Sequence, residues 1–256
     1  MVELKTANEI AAMRAAGRVV AQALAACAEA AAPGVPLRDL DEVARGVLAA
    51  AGARSSFLDY HPHFAPTPFP AVLITSVNDV IVHGIPDDYR LVDGDLLSID
   101  FGAELDGFHG DAATSLVVGT AADPADEKLI ATTRAALDAG IAAATAGNRI
   151  GDISHAIGRI GRDAGYGIPA DFGGHGIGRQ MHEPPSVPNE GRPGRGFPLR
   201  PGLVIAIEPM FISGGHDGYH AARDGWALCT DDRSRAAHVE HSVAITEDGP
   251  VVLTLP

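Results

Sequence analysis

Leu96-Leu97-Ser98-Ile99-Asp100-Phe101-Gly102-Ala103-Glu104-Leu105-Asp106-Gly107-Phe108-His109-Gly110-Asp111 contains two strand-like runs around one turn signal. The runs extend over about 95–104 and 108–118, and Asp106-Gly107 between them favours a tight β-hairpin. A two-residue loop centred on Leu105-Asp106 sets Asp100 directly opposite Asp111. One centred on Asp106-Gly107 sets Asp100 opposite Ala113. Side chains alternate along a strand, so Asp100 and Asp111 share a face in either register. On a wet face the two acids are simply solvated. On a buried face their repulsion and desolvation demand a cation.

Three clusters farther along bear on that choice. Gly173-Gly174-His175-Gly176-Ile177-Gly178-Arg179-Gln180-Met181-His182-Glu183-Pro184-Pro185 sets two histidines in a glycine-rich loop, where backbone can approach whatever an imidazole binds. Ile205-Ala206-Ile207-Glu208-Pro209-Met210 and His238-Val239-Glu240-His241-Ser242-Val243 each put a glutamate into an apolar, strand-like run. Taken singly, each is read most simply as a sheet-edge residue facing solvent; an unpaired buried carboxylate there would be costly. Taken together, two Asp, two Glu and one His form an oxygen-rich donor set. It suits a pair of divalent ions such as Mn, Fe(II) or Co, whereas a structural zinc site would use more Cys or His. Two ions about 3.5–4 Å apart can lower the pKa of a shared water and clamp both sides of a displacement.

The rest of the chain alternates helices and strands. Thr6-Ala7-Asn8-Glu9 has capping-box form, and Ile10, Met13, Gly17, Val20, Leu24 and Cys27 recur as one apolar stripe of the helix it starts. Pro33-Gly34 stops that helix, and a second is expected from about Leu37 to Ala51. Residues 56–70 carry too many prolines for helix or central strand and read as an ordered loop. A strand at about 71–77 follows. Asp123-Pro124 opens a helix to about Ala146, another helix follows Asp152, and Gly174 to Arg200 is rich in Gly and Pro. Strands are expected again at about 203–213, 225–230 and 237–246. Helices precede strands twice, which hints at an internal duplication centred near residue 122.

The chain has 256 residues, room for one large domain with a substantial core. A formal charge of −14 argues against binding DNA and against anionic membrane surfaces. Two cysteines without a Cys-x-x-Cys pair exclude a cysteine zinc site and read as free thiols in a reducing compartment. The first helix carries Arg14, Arg18, Gln22 and Glu29 and reads as too polar to span a bilayer or serve as a signal segment.

In this order, Ser76-Val77-Asn78-Asp79-Val80-Ile81-Val82-His83-Gly84-Ile85-Pro86, the stretch from Asp100 to Asp111, Gly174 to Pro185, Ile207-Glu208-Pro209-Met210, Asp224-Gly225-Trp226 and Glu240-His241 resemble the type I methionine aminopeptidases over nearly the whole chain. The resemblance implies an α+β pita-bread fold of one domain, residues 1–256. Its two pseudo-symmetric halves, about 1–122 and 123–256, would place a curved antiparallel sheet inside and helices outside. It implies a hydrolase that removes the initiator methionine from nascent proteins and peptides when the second residue is small, with a metal-activated water attacking the scissile carbonyl. The implied metal ligands are Asp100, Asp111, His175, Glu208 and Glu240, holding two divalent ions drawn from Co, Mn, Fe(II), Zn or Ni. His83 would contact substrate near the scissile amide, and His182 would stabilise the oxyanion. Glu208 would also carry a proton from the metal-bound water to the leaving amine. Phe69, Ile74, Met181 and Trp226 are the implied methionine pocket. Here the chain departs from common members, which often have tyrosines in the loop that reads Pro66 to Phe69, cysteine at Ile74 and an aromatic at Met181. A cytoplasmic monomer acting close to the ribosome is implied as well.

Two other readings compete. A prolidase or Xaa-Pro aminopeptidase shares the fold but usually carries an additional N-terminal domain, for which the roughly 70 residues before the first strand leave no room. A catalytically dead, peptide-binding relative would have lost ligands, yet all five positions are filled.

Overall fold

Thr6 starts the first helix as its capping box predicts: its Oγ1 accepts from the Glu9 N–H at 3.4 Å, and the Glu9 carboxylate accepts from the Thr6 N–H at 2.9 Å. The computed structural model describes residues 2–63 and 65–256. Phe64, within the proline-rich segment read as an ordered loop, lies outside the described residues. The N-terminal part runs α1 (Ala7–Ala30), α2 (Leu37–Ala51), β1 (Arg54–Ser55), β2 (Ile74–Val77), β3 (Val80–Val82), β4 (Leu96–Leu105) and β5 (Phe108–Val117). Then come α3 (Pro124–Ala143), α4 (Ile150–Asp163), β6 (Gly173–Gly176), β7 (Glu183–Pro188), β8 (Val204–Ile207) and β9 (Met210–Ile212). The chain ends with β10 (Tyr219–Ala221), β11 (Leu228–Thr230), β12 (Ala236–His238), β13 (Glu240–Thr246) and β14 (Gly249–Val252).

The hairpin turns on Asp106-Gly107. Both residues have positive φ, 53° and 82°, the conformation that a two-residue turn of this hand requires. This selects the second of the two registers, with Asp100 opposite Ala113 and Asp111 opposite Gly102. On β4, Leu97, Ile99, Phe101 and Ala103 pack with Val20, Leu24 and Cys27 of α1 and Leu40 and Leu48 of α2. Ser98 and Asp100 therefore point to the other face. The main sheet is nine-stranded, in the order β1-β4-β5-β13-β8-β6-β7, with β2 also paired to β4 and β14 to β13. It is antiparallel throughout. A second core forms where Leu137, Ile153 and Ile157 of α3 and α4 meet Ile205, Ile207 and Val243 of the sheet.

Several boundaries differ from expectation. The α4 helix begins at Ile150, before Asp152, because the Asp152 carboxylate reaches back to accept from the Arg149 N–H at 2.8 Å. The Gly/Pro-rich stretch holds two strands, β6 and β7; three prolines are tolerated in β7 because it ends the strand order. The expected strands 203–213 and 237–246 are each broken, at Glu208-Pro209 and at Val239. By length and composition α1 is apolar enough to cross a membrane, contrary to the polar reading. The fold uses it as a core helix, with Met13, Ala16, Val20 and Cys27 fully buried. Both cysteines are free.

The α1 helix lies directly on the β4–β5 hairpin, where Gly110 admits it, while Gly17 admits the C-terminal segment at Leu253. A Cβ placed on Gly110 would come within 2.9 Å of the Gly17 nitrogen, and one on Gly17 would collide with the Leu253 carbonyl. Gly110→Ala is therefore expected to lower unfolding free energy by about 1–3 kcal/mol, the usual cost of overpacking. Urea denaturation checks this, and an unchanged midpoint would show that helix and strand have slack.

Candidate active site

Sheet register assembles the site. Ile74 on β2 pairs with Asp100 on β4, Asp100 with Ala113 on β5, and Ala113 with Glu240 on β13. One step from the Ile207–His241 pair, Glu208 comes level with Glu240; one step from the Gly176–Ile205 pair, His175 comes level with Ala206. These positions share one face of the sheet, and Asp111 joins them two residues along β5 from Ala113. Ala113 is the small residue between Asp100 and Glu240, leaving space where larger side chains would fill the row. The strand breaks after Ile207 and before Glu240 free both glutamates from regular pairing on one side. The Glu208 carbonyl is held by the Asn189 side-chain amide, which donates to it at 3.0 Å.

The cluster is buried: Asp100 is 8% exposed, Asp111 4% and Glu240 2%. The solvent-facing reading of these acids is thereby corrected. His175 Nε2 stands 3.6 Å from Asp111 Oδ2 and 3.7 Å from Glu208 Oε1. Its Nδ1 donates to the Gly176 carbonyl at 2.9 Å, which leaves the Nε2 lone pair of the neutral ring available to a cation. Burial, and next the charges of Asp111 and Glu208, hold Asp100 well above the usual carboxylate range. Glu240 is raised in the same way, by burial first and then by Asp111, Glu208 and Asp100. Asp111 is raised by burial, with His175 opposing. At Glu208 burial pushes upward, but His238, His175 and His182 outweigh it and lower the pKa.

Among the described residues, no hydrogen-bond partner meets Asp100 Oδ1, Asp111 Oδ1 or Glu240 Oε1. Buried, mutually repelling carboxylates with unmet oxygens are unfavourable alone and become favourable around positive charge. The donors therefore fit divalent cations. Asp111, His175 and Glu240 form one group whose ligand atoms could share an ion; Glu208, His238 and Glu240 form another.

A cavity of about 400 Å³ opens over this face. Phe69, Ile74 and Trp226 line it beside the acids, together with His83 and His182. Trp226 is 4% exposed, and its Nε1 donates to the Thr67 carbonyl at 3.0 Å. Its ring lies 5.0 Å from that of Phe69 and 6.2 Å from that of His83. His83 has φ of 64°, rare for a residue with a side chain, and Gly84 must follow because a Cβ there would strike the Thr75 carbonyl. Burial lowers the His83 pKa to about 4. The ring of His182 is 4.2 Å from that of His175. Burial and then His175 lower its pKa, although part of the residue faces the open cavity and its desolvation is incomplete.

Met181 does not line the cavity. It is 5% exposed and packs behind it with Phe57 and Phe69, its Cε turned toward Gly102. Tyr60, Phe172 and Met210 line the cavity instead. Tyr60 lies 5.1 Å from the His182 ring, and Phe172 lies 6.0 Å from that of His83. The only sequence signal for Tyr60 was an aromatic within the proline-rich loop.

Residues 11–247 match the metallopeptidase family M24. The chain is 51% identical over 264 residues to methionine aminopeptidase 1 of Mycobacterium tuberculosis, spanning 100% of this chain and 96% of that one. The crystal structure of methionine aminopeptidase from Thermotoga maritima superposes with a TM-score of 0.95 at 36% identity, covering 100% of both chains. Prolidase from Pyrococcus furiosus matches with a TM-score of 0.77 at 23% identity, across 99% of this chain and 65% of that one, a likeness of fold alone. The architecture is the expected α+β pita-bread fold. By full-length identity and by structure, this chain belongs to the metallopeptidase family M24 and, within it, to the methionine aminopeptidases.

Proposed function

We propose that this enzyme removes the N-terminal methionine from peptides and nascent proteins whose second residue is small. The observation that carries the reading is a single cavity in which the carboxylates of Asp100, Asp111, Glu208 and Glu240 and the imidazole of His175 adjoin an apolar wall of Phe69, Ile74 and Trp226. Asp100, Asp111, His175, Glu208 and Glu240 would hold two divalent ions of the Co, Mn, Fe(II), Zn or Ni class. When bound, such ions supply Lewis acidity that lowers the pKa of water and polarises a carbonyl.

The protein's own groups do the rest. The thioether of methionine is desolvated against Phe69, Ile74 and Trp226, with Trp226 fixed by its bond to Thr67. The imidazole of His182 donates to the carbonyl oxygen as negative charge develops there. Glu208 accepts a proton from the attacking water and returns it to the leaving amine. His83 stands beside Trp226 and limits space next to the scissile amide. We place the activity in a cytoplasmic monomer that meets chains near the ribosome, built as one domain with halves at about 1–122 and 123–256.

A bulky second residue would push the carbonyl away from His182, and about 1 Å of misplacement can cost roughly 10²-fold in rate. Met-Ala-Ser should be cleaved far faster than Met-Lys-Ser, and Leu-Ala-Ser should be poor. Trp226→Ala should lower efficiency on Met-Ala-Ser with metal binding unchanged. Initial rates on the matched tripeptides, with one metal throughout, decide the matter. Equal rates for Met-Lys-Ser and Met-Ala-Ser would overturn the narrow specificity; preference for Ala-Pro-Ala would favour the proline-specific alternative.

A further inference from the structure

The five ligands implied by the family resemblance leave one buried imidazole beside them without a role. His238 is 2% exposed, and among the described residues its Nε2 has no hydrogen-bond partner. That nitrogen lies 3.6 Å from Glu208 Oε2. The separation exceeds a hydrogen bond. It equals that between His175 Nε2 and Asp111 Oδ2, also 3.6 Å. Two ligands at about 2.0–2.2 Å from one ion stand roughly 3–3.6 Å apart, so both pairs have the spacing of groups that share a cation.

The backbone fixes this imidazole in place. His238 ends β12 just before the break at Val239, where two buried serines grip it. Its N–H donates to Ser115 Oγ at 3.0 Å, and Ser115 Oγ donates to its carbonyl at 2.7 Å. Ser98 Oγ meets Ser115 Oγ at 2.8 Å, and the two serines face each other across the hairpin that carries Asp100 and Asp111. The imidazole is thus tied to the same rigid element as the acids. Its ligand atom, with those of Glu208 and Glu240, falls within one sphere of 4.8 Å separations.

We propose that His238 is a sixth protein ligand, through Nε2, adding an imidazole beside Glu208 and Glu240 to the donor set of Asp100, Asp111, His175, Glu208 and Glu240. The inference rests on the dinuclear reading given above. The pair of ions then has two imidazole donors instead of one. Nitrogen donors favour Fe(II), Co, Ni and Zn over the oxygen-seeking Mg and Mn, so this chain should discriminate more strongly against the latter.

His238→Gln separates a ligand from a mere positioning partner. Glutamine can still donate a proton to Glu208, but its neutral amide is a poor ligand for Co or Zn. With cobalt added to metal-stripped protein, titration calorimetry should show two sites in the wild type. In the variant, one site should weaken by more than about 10²-fold, beyond the usual cost of losing an outer partner. X-ray absorption of the fully loaded wild type should show ring scattering from two imidazoles per two cobalt ions, falling to one in the variant. Wild-type affinities and unchanged ring scattering in His238→Gln would overturn the proposal. If the variant fails to fold, the wild-type count decides alone: a single imidazole per two ions rejects His238. Failure of the wild type to bind any cobalt would instead overturn the dinuclear reading itself.

Discussion

Asp111→Asn is expected to lower turnover of Met-Ala-Ser by more than about 10²-fold, beyond what loss of an outer partner of a metal ligand usually costs. The side chain is 4% exposed and sits between the His175 imidazole and the Asp100 and Glu240 carboxylates. Asparagine keeps the shape and removes the charge, and a neutral amide bridges cations poorly. The same change relieves repulsion in protein stripped of metal, because one of the buried like charges is gone. Metal-stripped Asp111→Asn should therefore melt no lower than metal-stripped wild type, while the gain in Tm on adding cobalt should shrink. A variant with wild-type rate and a wild-type metal-induced gain would remove Asp111 from the metal centre.

His182→Ala should reduce kcat by about 10²–10³-fold, the range for a lost oxyanion donor. Its ring touches the His175 ring and Tyr60, and it lies outside both groups of prospective ligands. Metal content measured by atomic emission should therefore stay near that of the wild type. Loss of bound metal in this variant would make His182 a ligand or a structural support. A kcat within a few-fold of wild type would end its assignment to the transition state.

Much of the site was legible because it breaks local rules. Glu208 and Glu240 are misfits in apolar runs, and Asp106-Gly107 marks a turn that puts two acids on one face. The turn residues narrowed the register without selecting it; the positive φ at both residues makes the choice. The strand interruptions beside Glu208 and Glu240 were hidden, because Pro209 and Val239 sit in runs whose composition is otherwise that of continuous strands. The strands β6 and β7 were hidden for the opposite reason, since glycine and proline there serve close packing and a sheet edge. Met181 shows the limit of adjacency: next to His182 in the chain, it turns toward Gly102, away from the cavity. Tyr60 and Phe172 meet His182 and His83 only through the fold, as does the imidazole of His238 with Glu208.

The most direct test compares three preparations on Met-Ala-Ser: protein as purified, protein freed of metal by chelation, and the stripped protein with cobalt or manganese restored. The account predicts cleavage by the first, none by the second, and recovery in the third that saturates near two ions per chain. Undiminished cleavage by protein shown to contain no metal would contradict it.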